Sequence, residues 1–316
     1  DFSPQMLQQG RMPRPWQIVS EIERRYEMRP IAPDAEEIAD VDILMIVHPK
    51  DLSEETLFAI DQWVLGGGPT LVFVDPFCAS DEPPRPQQPY MPPPPHDASS
   101  DLGPLLSAWG LEMPSGMIVG DAKLGTEIPF NETETGRHVL VPLLGKEQLD
   151  NASPITAGLK QIRLLCCGAL RRTRSGDGAE YVELLRTSDR AGLMENSADP
   201  DGPPNPYMPP RPLLMAPPKQ IAERLEPGVE PLTLAYVVSG ALRSAFPEGI
   251  EDAEPTGTAP AAATAPASKT GLTESESRSS VVVFADVDFI SDVVAYGGHL
   301  GRPPDGNVGV VINALD

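Results

Sequence analysis

The chain has 316 residues and a formal net charge of −22; the length fits one large domain or two ordinary ones, and the charge opposes nucleic acid and anionic lipid headgroups as partners. Hydrophobic residues make up 40% of it, enough to build a core rather than a disordered chain. The 38 prolines, about 12% against a usual ~5%, force much of the chain into loops, because proline fits neither helix interiors nor central strands.

In chain order, Ile18, Ile22 and Tyr26 form one stripe and predict a helix over 16–26. The nearly continuous apolar run 41–47 predicts a strand buried on both faces and ended by His48-Pro49. Ser53 followed by Glu54 and Glu55 is a helix N-cap signal. Leu57, Ile60, Trp63 and Val64 carry the helical spacing, and Gly66-Gly67-Gly68 stops it. Residues 71–74 predict a second buried strand closed by Asp75-Pro76. Strand, helix and strand with short joints make a parallel βαβ unit.

Residues 76–95 hold nine prolines and read as polyproline II or irregular loop. A short helix is expected over 101–109, and strands at 117–119, 139–144, 162–170 and 181–185. Residues 200–218 again hold nine prolines, and 232–238 predicts a further strand. The two proline tracts echo each other: 86–95 and 203–212 agree at seven of ten positions, including Pro-Tyr-Met-Pro-Pro. Preformed extended backbone loses little entropy on docking, so Tyr90 and Tyr207 are expected on one face as a protein or polymer docking surface.

Residues 251–280 contain one large apolar side chain, Leu272, and read as a disordered Ala/Thr/Pro/Ser-rich insertion. It interrupts a single α/β domain made of 1–250 and 281–316. After it come a strand at 281–285, Asp286-Val287-Asp288, a helix start at Phe289, and a closing amphipathic helix at 307–315. The expected fold is an open, mostly parallel sheet flanked by helices. Ligands of such sheets bind outside the strand carboxyl ends, which here carry His48, Asp75 and Asp286.

Several chemistries lack their motifs. There is no GxSxG or Gly-x-Cys-x-Gly elbow, no GxxxxGK[ST], no GxGxxG after a strand, no HExxH and no CxxC. The four histidines, His48, His96, His138 and His299, are isolated in sequence. His48 reads as a polar stop before a Pro turn or as a catalytic group. Asp75 reads as a strand-closing acceptor of loop amides or as a ligand for a cation or sugar hydroxyl. Asp286 and Asp288 could share a metal or act as acid and base, against Asp288 as an ordinary N-cap. Cys78 lacks a nearby histidine, and the neighbours Cys166 and Cys167 do not suit a mutual disulfide. Neither a catalytic set nor a cofactor or metal is expected.

Three blocks together resemble a family. The first is Leu52-Ser-Glu-Glu-Thr-Leu-Phe-Ala-Ile-Asp-Gln-Trp-Val-Leu-Gly-Gly-Gly68 with Leu71-Val-Phe-Val-Asp-Pro76. The second is Leu232-Thr-Leu-Ala-Tyr236 with Ser239-Gly240 and Ser244-Ala-Phe-Pro247. The third is Val281-Val-Val-Phe-Ala-Asp-Val-Asp-Phe289 with Gly306-Asn307 and Ile312-Asn313-Ala314. They resemble the Gld-type, gliding-motility-like ABC transporter auxiliary components. The resemblance implies a flavodoxin-like, class I amidotransferase-like sheet that has lost its catalytic nucleophile. It also implies a periplasmic, non-enzymatic domain beside ABC permease and ATPase subunits, with a polysaccharide or protein as further partner. The chain opens at Asp1 and stops at Asp316 with no stretch of ~18 apolar residues. The resemblance implies that membrane helices outside these residues hold the domain at an inner membrane. The alternatives are a cryptic carbohydrate-active hydrolase using His48, Asp75 and Asp286, or a pure docking scaffold.

Overall fold

The computed structural model describes residues 15–83, 96–129, 135–174, 178–197, 212–251, 268–275, 278–297, 300 and 302–316. The strands up to the middle of the chain are β1 (Leu44–Val47), β2 (Thr70–Phe73), β3 (Leu111–Glu112), β4 (Met117–Asp121), β5 (Gly125–Pro129), β6 (Thr135–Leu144) and β7 (Ile162–Arg163). Then come β8 (Arg171–Arg172), β9 (Ala179–Arg186), β10 (Ala191–Glu195), β11 (Thr233–Gly240), β12 (Ile250–Glu251), β13 (Ser268–Lys269) and β14 (Ser279–Phe284). Helices occupy Gln17–Glu23, Glu54–Leu65, Pro104–Ala108, Pro218–Arg224, Asp292–Ala295 and Gly306–Leu315.

The central sheet has the order β1-β2-β14-β11-β9. β1 pairs parallel to β2, and β2 parallel to β14. β14–β11 and β11–β9 are antiparallel. The βαβ unit is therefore present, but the mostly parallel sheet is corrected to a mixed one. The reason is physical. A continuous apolar run reports burial on both faces, whereas strand direction is set by how the connections route.

Alternation along the central strands builds two cores. Leu71 and Phe73 share one face with Val282 and Phe284, over Ile18, Ile22, Ile118, Leu140 and Val310. Val72 and Val74 share the other with Val281 and Val283, under Ile60 and Val64 of the helix and Trp109. β4–β10 and β5–β6–β7 are small antiparallel units beside the sheet. Ser53 caps the helix Glu54–Leu65 by accepting the Thr56 N–H at 3.2 Å. Gly67 follows it at φ +91°, a conformation that suits glycine.

The apolar run 162–170 is a strand only over Ile162–Arg163. Its remainder stays buried as irregular backbone, with Cys166 at φ +51°. Within 251–280, residues 268–275 pack: β13 pairs with β12, and Gln62 exchanges hydrogen bonds with the Leu272 backbone. Residues 252–267, 276 and 277 lie outside the described residues, as do Tyr90, Tyr207 and His299.

The closing helix is tied in by Asn307, which is fully buried. Its Oδ1 accepts the Arg163 N–H at 2.9 Å, and its Nδ2 donates to the Arg163 and Phe289 carbonyls at 2.7 Å each. A Cβ on the preceding Gly306 would sit 2.4 Å from the Gln161 carbonyl oxygen, so only glycine fits this approach. Asn307→Ala is expected to cost about 2–4 kcal/mol, because it leaves buried backbone groups unpaired. Urea unfolding measures this; a loss below ~0.5 kcal/mol would contradict the role.

Candidate functional site

The carboxyl ends of β1, β2 and β14 carry two layers of polar groups. The inner layer is Asp75, Asp286 and Asp288, each 0–1% exposed. Asp75 accepts the Phe77 N–H at 2.8 Å and the Val287 N–H at 2.7 Å, one on each oxygen. Asp286 accepts Leu165 N–H at 2.7 Å and Phe289 N–H at 2.9 Å. Asp288 accepts Ala79 N–H at 2.5 Å and Ser80 N–H at 3.0 Å. Every oxygen of the trio thus holds a backbone amide. The strand-closing reading of Asp75 holds, and the N-cap reading of Asp288 is corrected. Asp286 makes the cap-like bond to Phe289, while Asp288 pins the 78–80 loop from afar.

Burial pushes the Asp75 carboxyl well above the ordinary range, and the Asp288 charge adds to it. Asp286 is raised well above by burial and then by Asp75 and Asp288. Burial also raises Asp288, against the loop amides that favour its charge. The folded trio therefore binds protons more readily than the unfolded chain does. Its contribution to stability is full below the unfolded value of ~3.9 and is lost as pH rises through the raised folded values. Wild type is accordingly expected to gain stability relative to Asp75→Asn as pH falls toward ~4. Urea unfolding of both proteins across that window tests the sign, and a pH-independent difference would contradict it.

The Cys78 Sγ lies 3.7 Å from Asp288 Oδ1. Ligand atoms of Asp75, Cys78 and Asp288 fall within 4.8 Å of one another. This donor set suits a metal poorly, because both carboxylates already accept two amides each and the thiol stays protonated. Burial raises Cys78 far above the ordinary thiol range, helped by Asp288 and Asp75. Cys166 and Cys167 are buried and raised as well, again chiefly by burial. Poorly ionised thiols are weak nucleophiles.

The outer layer starts at His48, which ends β1 at φ +52°. Its Nδ1 lies 2.9 Å from Ser100 Oγ and its Nε2 3.0 Å from Asp81 Oδ2. Lys50 donates to Asp81 at 2.6 Å and also to the Asp97 carbonyl. His96 Nε2 lies 2.9 Å from the Asp81 carbonyl and 3.3 Å from its carboxylate. Burial alone would raise Asp81, but hydrogen bonds from Lys50 and His48 and the Lys50 charge hold it below the ordinary range. Beside this cluster lies a polar hollow of about 420 Å³, lined by Lys50, Asp51, His96, Asp97, Ser99 and Ser100.

Ser100, His48 and Asp81 have the connectivity of a nucleophile, base and orienting carboxylate. Ser100 is nevertheless 5% exposed, and its Oγ accepts the Asp75 N–H at 3.2 Å. The chain around it also bridges Asp75 through paired backbone bonds of 2.7 and 3.1 Å. This serine is a tether between the layers. His48 bonds to Ser100 and Asp81 rather than to the inner carboxylates, so the four described residues of the predicted site divide into a buried, amide-holding trio and one outer histidine. Sequence reasoning missed Lys50, Asp81 and Ser100 as partners. Their one visible signal is that Asp81 lies within the first proline-dense stretch and His96 directly follows it.

The family-like blocks meet through similar buried bonds. Asp61, fully buried in the helix Glu54–Leu65, accepts Ser244 Oγ at 2.6 Å and Ala245 N–H at 3.0 Å. No helix of the described residues is long and apolar enough to cross a membrane. No curated protein matches the chain. A family model described as an ABC-type uncharacterized transport system matches residues 5–314. With nearly its whole length covered, the chain belongs to this family of ABC transport auxiliary proteins.

Proposed function

We propose that this chain is a non-enzymatic accessory domain of a bacterial ABC transport system, of the Gld type, displayed on the periplasmic side of the inner membrane. It binds or guides an extracytoplasmic protein or polymer beside the permease and ATPase subunits, while ATP is hydrolysed elsewhere. The observation that carries this reading is the use of the strand-end carboxylates. Asp75, Asp286 and Asp288 hold backbone amides and are sealed from solvent. Catalytic carboxylates must instead reach substrate. What faces outward is the polar hollow around Lys50 and His96, whose donors and acceptors suit a hydroxyl-rich or peptide ligand.

Two measurements test it. Purified protein is expected to hydrolyse no ester, amide or glycoside and to leave Ser100 unlabelled by a fluorophosphonate probe. Turnover abolished by Ser100→Ala or His48→Ala would replace this reading with the hydrolase. Cross-linking of the full-length protein in membranes is expected to recover ABC permease and ATPase subunits, and an alkaline phosphatase fusion is expected to be active. Recovery of neither subunit would remove the accessory role.

A further inference from the structure

The edge of the central sheet opposite β9 is β1. Leu44 and His48 donate to Pro69 and Phe73 on the β2 side. By strand alternation, Met45 and Val47 therefore direct their N–H and C=O groups outward. No described residue pairs with those groups. Beside this edge runs a groove of about 550 Å³ floored by Ile22, Leu44 and Leu315 and walled by Met28, Ile31 and Met45. Met28 and Ile31 in the groove are 43% and 38% exposed, and Val47 on the edge strand itself is 39% exposed. Folded proteins cover or blunt such edges, and an open one accepts an added strand.

The charges select the occupant. The groove is lined by Glu27, Asp40 and Asp42 and by a single cation, Arg29. Arg29 is already engaged by the Glu27 carboxylate at 3.2 Å and the Asp40 carbonyl at 3.1 Å. The carboxylates of Asp40 and Asp42 have no ion-pair partner among the described residues. A second copy of the chain would bring another net charge of −22 to this edge, which opposes association. We propose that the β1 edge docks an extended segment of a partner protein by strand addition, with apolar residues of that segment alternating with Lys or Arg. Its apolar side chains fill the groove beside Met28 and Ile31, and its cations meet Asp40 and Asp42. This surface is separate from the polar hollow, so it stands or falls independently of that site's ligand.

The test uses the full chain and three labelled octapeptides: alternating lysine–valine, glutamate–valine and lysine–serine. Fluorescence anisotropy at moderate salt is expected to show the lysine–valine peptide binding at least tenfold tighter than either control. Hydrogen exchange should then slow at the Met45 and Val47 amides. Ile31→Glu and Val47→Pro are each expected to weaken binding at least tenfold, and Asp40→Asn with Asp42→Asn to narrow the preference for lysine over glutamate. Since Ile31 is on the surface, its variant keeps the test valid if Val47→Pro fails to fold. Equal binding of the lysine–serine peptide would reduce the effect to bulk charge and overturn the proposal. Slow Met45 and Val47 exchange in the dilute free chain would mean that the chain covers its own edge. Protection that instead rises with concentration, together with a sedimenting dimer, would assign the edge to a second copy; either result overturns it.

Discussion

Asp286→Ala is expected to lower the free energy of unfolding by about 3–5 kcal/mol, since a buried donor left without an acceptor costs ~1–3 kcal/mol and two are created. The two are the Leu165 and Phe289 amides, held at 2.7 and 2.9 Å on a side chain 1% exposed. A cavity adds to the loss, while removing a carboxyl that burial already disfavours as an anion offsets part of it. Asp286→Asn should fall between alanine and wild type: it keeps one acceptor but turns an NH2 toward the other amide. Equilibrium urea unfolding followed by tryptophan fluorescence measures both. A stable Asp286→Ala protein that has lost binding of a metal or sugar would show that the carboxylate serves a ligand, contrary to the structural role assigned to it.

Phe289→Ala is expected to cost about 3–5 kcal/mol, the usual range for deleting a fully buried aromatic ring. Phe289 packs against Phe73 and Phe284 with ring centroids 5.6 and 5.3 Å away, while Phe73 and Phe284 stack on each other at 5.3 Å. These rings join the ends of β2 and β14 to the turn Asp288–Ile290, directly under the carboxylate trio. Because Asp286 holds the Phe289 amide, the two substitutions share one piece of backbone. Their combined cost should be smaller than the sum of the single costs, by at least ~0.5 kcal/mol. Strict additivity would mean that the ring and the carboxylate support separate parts of the fold.

Both substitutions act on the segment 286–289, which the sequence shows to be a strand end but not what kind of end. The amino-acid sequence alone determined features written in near neighbours. Ser53 and the glycines 66–68 bound one helix. The apolar runs mark β1, β2, β11 and β14, and Ile18 and Ile22 are buried on their helix. Each of these rests on capping, glycine conformation or side-chain periodicity, which act over a few residues.

The tertiary structure decided what depends on distant pairing. Strand direction is one case: β14 lies parallel to β2 but antiparallel to β11, and an apolar run looks the same either way. The carboxylates are another. Asp75 could have met a cation, yet its partner is the Val287 amide 212 residues away. Likewise, His48 and His96 converge on Asp81 only because β1 and the loops flanking the first proline tract meet at one sheet end. Leu272 looks too isolated to pack, but Gln62 exchanges hydrogen bonds with its backbone across 210 residues. A buried carboxylate becomes a ligand, a catalyst or a brace according to which donors surround it, and only the folded chain supplies those donors.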